Sequence, residues 1–202
     1  MRTLLLLPLV LALPAYAGTS AKQVVAPTPD PCITTWFAGA SVGYLTELET
    51  PMYNAHVGIT NSYWNFAGWN TALYLEVGYA NEDWNERQRD TDNGPANIDC
   101  TVVPITANVK FERNLTGNLN AYIGGGLGVA YIGVDVPGDS DSDWVFTAQL
   151  FAGLSYNVSQ ACEIYGGVRW IYLSDPSLYG ADRDIDQLQD NWLIELGARF
   201  KF

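Results

Sequence analysis

The final stretch of the chain, residues 191–202, alternates strictly between two kinds of side chain. One face carries only apolar residues, namely Trp192, Ile194, Leu196, Ala198, Phe200 and Phe202. The other face carries Leu193, Glu195, Gly197, Arg199 and Lys201. A period of two predicts a β-strand. Because aromatic residues lie on one face and charges of both signs on the other, the pattern indicates a strand with lipid outside and a polar interior.

The N-terminal residues predict export. A single base, Arg2, precedes an apolar run from residue 4 to residue 13 and the small-x-small triplet Ala15-Tyr16-Ala17. This is the pattern of a signal peptide over residues 1–17, and the run is too short to span a bilayer as a helix. Residues 18–33 include Ala-Pro-Thr-Pro-Asp-Pro, which predicts an extended periplasmic lead-in that does not pair in a sheet. Residues 34–202 are enough for one domain.

Charge and cysteine content restrict the remaining possibilities. The chain has 22 acidic residues against 10 basic ones and a net charge of −12, which argues against nucleic acid as a partner.

Three cysteines cannot all pair within one chain. Export permits a disulfide, and Cys32 and Cys162 are the candidate pair because both are expected near the periplasmic rim. Free thiols are the alternative.

Eight alternating segments follow the lead-in. Their approximate bounds are 34–45, 53–61, 69–80, 100–113, 119–134, 144–158, 162–173 and 191–202. The connections after the second, fourth and sixth segments are short, whereas the others, notably 81–99 and 174–190, are longer or more polar. This asymmetry predicts an all-β, eight-stranded, antiparallel up-and-down transmembrane β-barrel with its long loops outside the cell. Outward-facing aromatic residues near both ends of the segments fit the two interfacial girdles of such a barrel.

Several short stretches also carry a family resemblance. They are PITANVK at 104–110, YIGGGLG at 122–128, AGLSY at 152–156, GGVR at 166–169 and ELGARFKF at 195–202. In this order and spacing they resemble the small outer-membrane β-barrel domains of the OmpA/OmpX type. The resemblance implies a monomer in the outer membrane of a Gram-negative cell, with outer-membrane lipid and lipopolysaccharide as partners, the barrel-assembly machinery during insertion, and no cofactor. It also implies that Phe200 and Phe202 act as an assembly signal.

The predicted topology divides the charged residues into two groups. Seventeen acids fall in the predicted outer loops. The lumen receives four acids and four bases, namely Glu76, Glu112, Glu163 and Glu195 with Lys110, Arg169, Arg199 and Lys201. An eight-stranded barrel is just wide enough for its own side chains, and buried charges must be paired. We therefore predict an ion-pair network that plugs the lumen, with a narrow gated pore as the alternative.

A divalent cation site and a catalytic site are the two alternatives to this interpretation. Asp139, Asp141 and Asp143 are weak candidates for a divalent cation site, because hard cations take several oxygen ligands. They lack the glycine and distal glutamate of an EF-hand loop, so a solvated acidic loop is favoured.

Barrels that modify lipid A use a histidine with a serine or carboxylate facing the lipid. Strand parity places His56 on the lumen side, with Ser62 the nearest serine, so we predict a structural or surface-interaction protein, not an enzyme, whose extracellular ligand is unknown.

Overall fold

The computed structural model describes residues 34–85, 97–136, 139–175 and 190–202. They form eight strands: β1 Thr34–Leu45, β2 Thr50–Phe66, β3 Trp69–Asn85, β4 Asn97–Thr116, β5 Leu119–Val136, β6 Asp139–Asn157, β7 Cys162–Leu173 and β8 Asp190–Lys201. Each strand pairs antiparallel with its neighbours in the chain, and β1 pairs with β8 to close the barrel. The predicted fold class is thereby confirmed. Within these residues no helix is long and apolar enough to cross a membrane.

The seam between β1 and β8 closes the sheet along its whole length. Its register runs from Phe37 opposite Lys201 to Leu45 opposite Leu193. Trp36 and Phe202 extend it, because the Trp36 N–H donates to the Phe202 carbonyl at 3.1 Å and the Phe202 N–H donates to the Trp36 carbonyl at 2.9 Å. A closed sheet leaves no edge whose backbone groups would lie unpaired in lipid.

The burial pattern is the reverse of that in a soluble barrel. The outward face is apolar and exposed, with Leu196 65% accessible, whereas Arg169 is only 2% accessible inside the lumen. Outward aromatic residues form an outer girdle and an inner girdle on either side of this apolar surface. They include Tyr44, Tyr79, Trp144 and Trp192 at the outer level and Trp36, Tyr156 and Phe200 at the inner level. This arrangement fits a bilayer between the two girdles.

The four central strands run farther outward than the sequence predicts. β3 and β4 remain paired up to Asn85 opposite Asn97, and β5 and β6 up to Val136 opposite Asp139. The predicted loop 81–99 was therefore too long, and the placement of Asp139, Asp141 and Asp143 in a loop was wrong, because all three lie on β6. The backbone continues to pair beyond the lipid whatever its side chains are. The apolar alternation marks only the part of each strand that faces lipid.

A charge placed on the lipid-facing surface tests the position of the bilayer. Leu196 lies midway between Trp192 and Phe200 on β8, so Leu196→Arg should lower the free energy of unfolding by about 2–4 kcal/mol. Leu115 is also exposed, but it lies at the periplasmic end of β4. The matched variant Leu115→Arg should cost about 0–1 kcal/mol. Urea-induced unfolding of the refolded proteins in lipid vesicles measures both, and equal losses would contradict this placement.

Candidate functional site

The candidate site is the barrel lumen, which inward side chains fill in four successive levels. From the extracellular end they are the outer apolar layer, the upper ion-pair cluster, the aromatic layer and the lower ion-pair cluster. The alternation of each strand sends every second side chain inward, so each level collects residues from most of the eight strands.

The outer apolar layer fills the extracellular third of the lumen. Its members are Leu45, Leu48, Met52, Ala80, Cys100, Val102, Ala130, Ile132, Val145, Ile171, Leu173 and Leu193. Leu48 comes from the turn between β1 and β2, where Glu49 takes a positive φ of 50° and Leu48 itself is buried. Sequence reasoning missed this layer. The available signal was the loss of alternation at the outer strand ends, where both faces are apolar, as in Trp192-Leu193-Ile194.

The upper ion-pair cluster is centred on Arg169. Its guanidinium pairs with Glu76 on one side and, from Nη2, with Glu195 Oε1 at 3.0 Å on the other. The Gln149 side-chain amide donates to Glu76 Oε1 at 3.0 Å, and the Ser41 hydroxyl donates to Glu195 Oε2 at 3.1 Å. Two carboxylates therefore share one guanidinium, and neutral side chains add a further hydrogen bond to each carboxylate.

The aromatic layer separates the two ion-pair clusters. It consists of His56 together with Phe37, Tyr74, Tyr122, Phe151 and Tyr165. Neighbouring rings meet at tilted or edge-on angles, for example Tyr122 and Tyr165 with centroids 6.3 Å apart, which is a favourable geometry for aromatic pairs. Glycines opposite the rings make room for them. A Cβ on Gly197 would lie 2.5 Å from the Tyr165 hydroxyl, so any larger residue there would displace the ring.

The lower ion-pair cluster is centred on Glu163. Lys201 Nζ lies 2.7 Å from Glu163 Oε2, and Arg199 Nη1 lies 3.4 Å from Glu163 Oε1. Lys110 Nζ is 3.6 Å from Glu163 Oε1 and also pairs with Glu112. This cluster holds three bases and two acids, whereas the upper one holds one base and two acids. The eight charged residues that the sequence assigns to the lumen all lie in these two clusters.

His56 lies between the clusters and contacts both. Arg199 Nε donates to His56 Nε2 at 3.5 Å, and His56 Nδ1 lies 3.9 Å from Glu76 Oε2. The residue is only 5% accessible. Strand parity correctly placed this histidine in the lumen. Its contacts were not predictable, because they depend on the register of three separate strands.

The remaining candidate residues lie elsewhere. On β6, Asp141 Oδ1 accepts the Ser142 N–H and Asp143 Oδ1 accepts the Trp144 N–H, both at 2.8 Å. Within the described ranges no group of three His, Cys, Asp or Glu side chains is arranged to hold a metal ion. Cys162 forms no disulfide with another of the described residues. Its candidate partner Cys32 lies outside the described residues, so that pairing stays a prediction.

Phe200 and Phe202 lie on the lipid-facing side of the barrel near its periplasmic end, and both are exposed. Their side chains therefore contribute little to the packing of the lumen. The role of the two residues as an assembly signal also stays a prediction.

Comparisons with known proteins identify the fold. No protein-family model matches the sequence. Uncharacterized proteins of Brucella melitensis and Brucella abortus are each 24% identical over 231 residues, covering 88% of this chain and 81% of theirs. Among solved structures, Neisserial surface protein A is similar with a TM-score of 0.52, at 15% identity over 84% of this chain and 97% of its own. A major outer membrane protein from Thermus thermophilus reaches 0.59, at 13% identity over 84% of this chain and 100% of its own.

The N-terminal β-barrel domain of Pseudomonas aeruginosa OprF is also similar, with a TM-score of 0.51 at 15% identity over 83% of this chain and 97% of that domain. The protein has the fold of the small eight-stranded outer-membrane barrels. Its apolar, girdled outer surface places it in a lipid bilayer, and barrels of this kind belong to the outer membrane. The predicted localisation agrees with both observations.

Removal of Arg169 tests the upper ion-pair cluster. Arg169→Met leaves Glu76 and Glu195 buried without their counter-charge, so the free energy of unfolding should fall by about 3–5 kcal/mol. Arg113 is exposed outside the lumen, and the matched variant Arg113→Met should change stability by no more than about 0.5 kcal/mol. Urea midpoints in lipid vesicles measure both. A small loss of unfolding free energy for Arg169→Met would show that the buried carboxylates do not depend on the Arg169 guanidinium.

Proposed function

We propose that the protein is a closed barrel that presents an acidic surface outside the cell and does not conduct ions through its lumen. The outer apolar layer is the observation that carries this proposal. Its side chains pack across the extracellular third of the lumen, where Ile132 and Leu193 are 0% accessible. An ion crossing this layer would have to leave its hydration shell among mainly apolar side chains, which is energetically costly. The buried polar side chains at this level are Thr50, Thr147 and Asn191.

The space inside the lumen further disfavours the alternative of a small gated pore. The lumen contains a cavity of about 10 Å³, measured as the volume open to the centre of a water molecule. That volume accommodates about one water molecule. The cavity lies between the two ion-pair clusters and below the outer apolar layer, so breaking an ion pair alone would not create a continuous aqueous path.

The extracellular end supplies the surface for interaction. Its described acidic side chains include Glu47, Glu49, Asp141, Asp143, Asp175 and Asp190. The bases of the described residues, Lys110, Arg113, Arg169, Arg199 and Lys201, lie in the lumen or towards the periplasm. A surface with charges of one sign attracts partners of the opposite sign and repels like-charged ones. We therefore infer a cationic partner, bound at the end of the barrel where scaffolds of this kind carry their function.

The position of His56 favours a binding role over an enzymatic one. It is the single histidine of the chain, and it is buried among the aromatic rings of the lumen. A catalytic histidine that acts on a membrane lipid must reach the lipid-facing surface. The aromatic layer and the barrel wall separate His56 from that surface.

Ion conductance tests the closed lumen. The refolded protein in planar bilayers should give no stepwise currents, and Arg169→Met should give none either, because the outer apolar layer remains in place. Heat-modifiable electrophoretic migration verifies that each sample is folded. Reproducible channels in the wild type, or conductance that rises when Arg169 or Glu195 is truncated, would contradict the proposal.

Binding of a cationic peptide tests the acidic surface. Asp141→Asn together with Asp143→Asn should weaken the binding of a fluorescent oligolysine to vesicles carrying the protein by about two- to tenfold, because each exposed charge pair contributes little. The effect should diminish as salt is added. An uncharged peptide of equal length is the control. Unchanged affinity at low salt would show that these two carboxylates do not contribute to the surface.

A further inference from the structure

The cavity in the lumen is lined by polar groups from both ion-pair clusters. Glu76, Arg169 and Glu195 line it from the upper cluster, and Lys110 and Arg199 from the lower one. Rings of the aromatic layer, including those of His56 and Tyr122, complete the lining. Two acidic and three basic groups thus surround a space that holds about one water molecule.

Three of the lining residues carry a buried polar atom that has no hydrogen-bond partner within the protein. They are His56 Nδ1, the Tyr122 hydroxyl and Arg169 Nε. Each residue is more than nine-tenths buried. Buried polar groups are almost always hydrogen-bonded, because leaving one unsatisfied is costly. Because all three residues line one small cavity, their unpartnered atoms point to a common ligand.

The contacts of His56 define which of its nitrogens carries the proton. Arg199 Nε is a donor only, so His56 Nε2 must accept its hydrogen bond. The neutral ring then carries its proton on Nδ1. The Nδ1 atom lies 3.9 Å from Glu76 Oε2, which is too far for a direct hydrogen bond. A bridging water is expected where two polar atoms are this far apart.

We propose that the cavity binds a single water molecule that joins the two ion-pair clusters. The water accepts the N–H groups of His56 Nδ1 and Arg169 Nε, and it donates to the Tyr122 hydroxyl oxygen and to the Glu76 carboxylate. These four bonds use its full hydrogen-bonding capacity and give each of the three buried atoms a partner. An ion fits less well, because the volume leaves no room for a hydration shell and the surrounding charges are of both signs.

This water gives His56 a positioning role. Through Nε2 the ring contacts Arg199 of the lower cluster, and through the water it contacts Glu76 and Arg169 of the upper cluster. The aromatic layer would otherwise separate the two sets of charges. With the water bound, the lumen charges form one hydrogen-bonded unit.

The single histidine makes the test unambiguous, since ¹⁵N-histidine labelling gives a signal from His56 alone. In the full chain refolded into lipid nanodiscs, the ¹⁵N shifts should show a proton on Nδ1 and none on Nε2. The Nδ1 proton should give a cross-relaxation peak to a water resonance. A proton on Nε2, or an Nδ1 proton without a water correlation, would overturn the proposal.

Two variants separate the bound water from solvent that reaches the ring by chance. Tyr122→Phe removes one of the four hydrogen bonds, so the water should exchange several-fold faster and its cross peak should weaken. Tyr44→Phe removes a hydroxyl from the lipid-facing surface and should leave the peak unchanged. An identical peak in Tyr122→Phe and the wild type would exclude Tyr122 as a ligand and contradict the four-bond site. The wild-type spectrum decides the existence of the water even if Tyr122→Phe does not fold.

Discussion

The pairing of β1 with β8 is the constraint on which the rest of the structure depends. In lipid, an open sheet would leave a row of backbone N–H and C=O groups without partners. The seam from Phe37 to Leu45, extended by the two hydrogen bonds between Trp36 and Phe202, removes both edges. Once eight strands close, the interior is so narrow that inward side chains must fill it. Inward residues must then either pack among apolar groups or find polar partners.

The lumen meets this requirement in two ways. Its outer third is filled mainly with apolar side chains, and the charged residues lie deeper, on both sides of a layer of rings. A buried ion pair adds little net stability compared with apolar packing, but removing one partner leaves a costly buried charge. In the proposed closed lumen, the charged plug is therefore only part of the barrier, because Leu48, Ile132 and Leu193 lie in an apolar layer at the extracellular end. This arrangement separates the packed interior from the acidic exterior to which we assign the proposed binding role.

Much of this architecture was predictable because lipid imposes a strict period of two. The bounds of β1 and β7 agree with those expected, and Glu76 and Arg169, which parity assigns to the lumen, are both buried. Prediction was wrong where that constraint ends. β3–β6 continue beyond the bilayer, where the sequence no longer alternates between apolar and polar residues, so Asp141 was assigned to a loop. The ion-pair partners also could not be predicted from the sequence, because they depend on the register of strands that are distant in sequence.

The thiol of Cys100 offers the most direct test of the closed extracellular end. Cys100 belongs to the outer apolar layer and is 2% accessible. The refolded wild-type protein in detergent micelles would be treated with a charged, water-soluble maleimide and analysed by peptide mass spectrometry. Cys100 should remain unmodified until denaturant is added. Modification of the folded protein at the rate of an exposed thiol would show that water reaches this layer and would contradict the account.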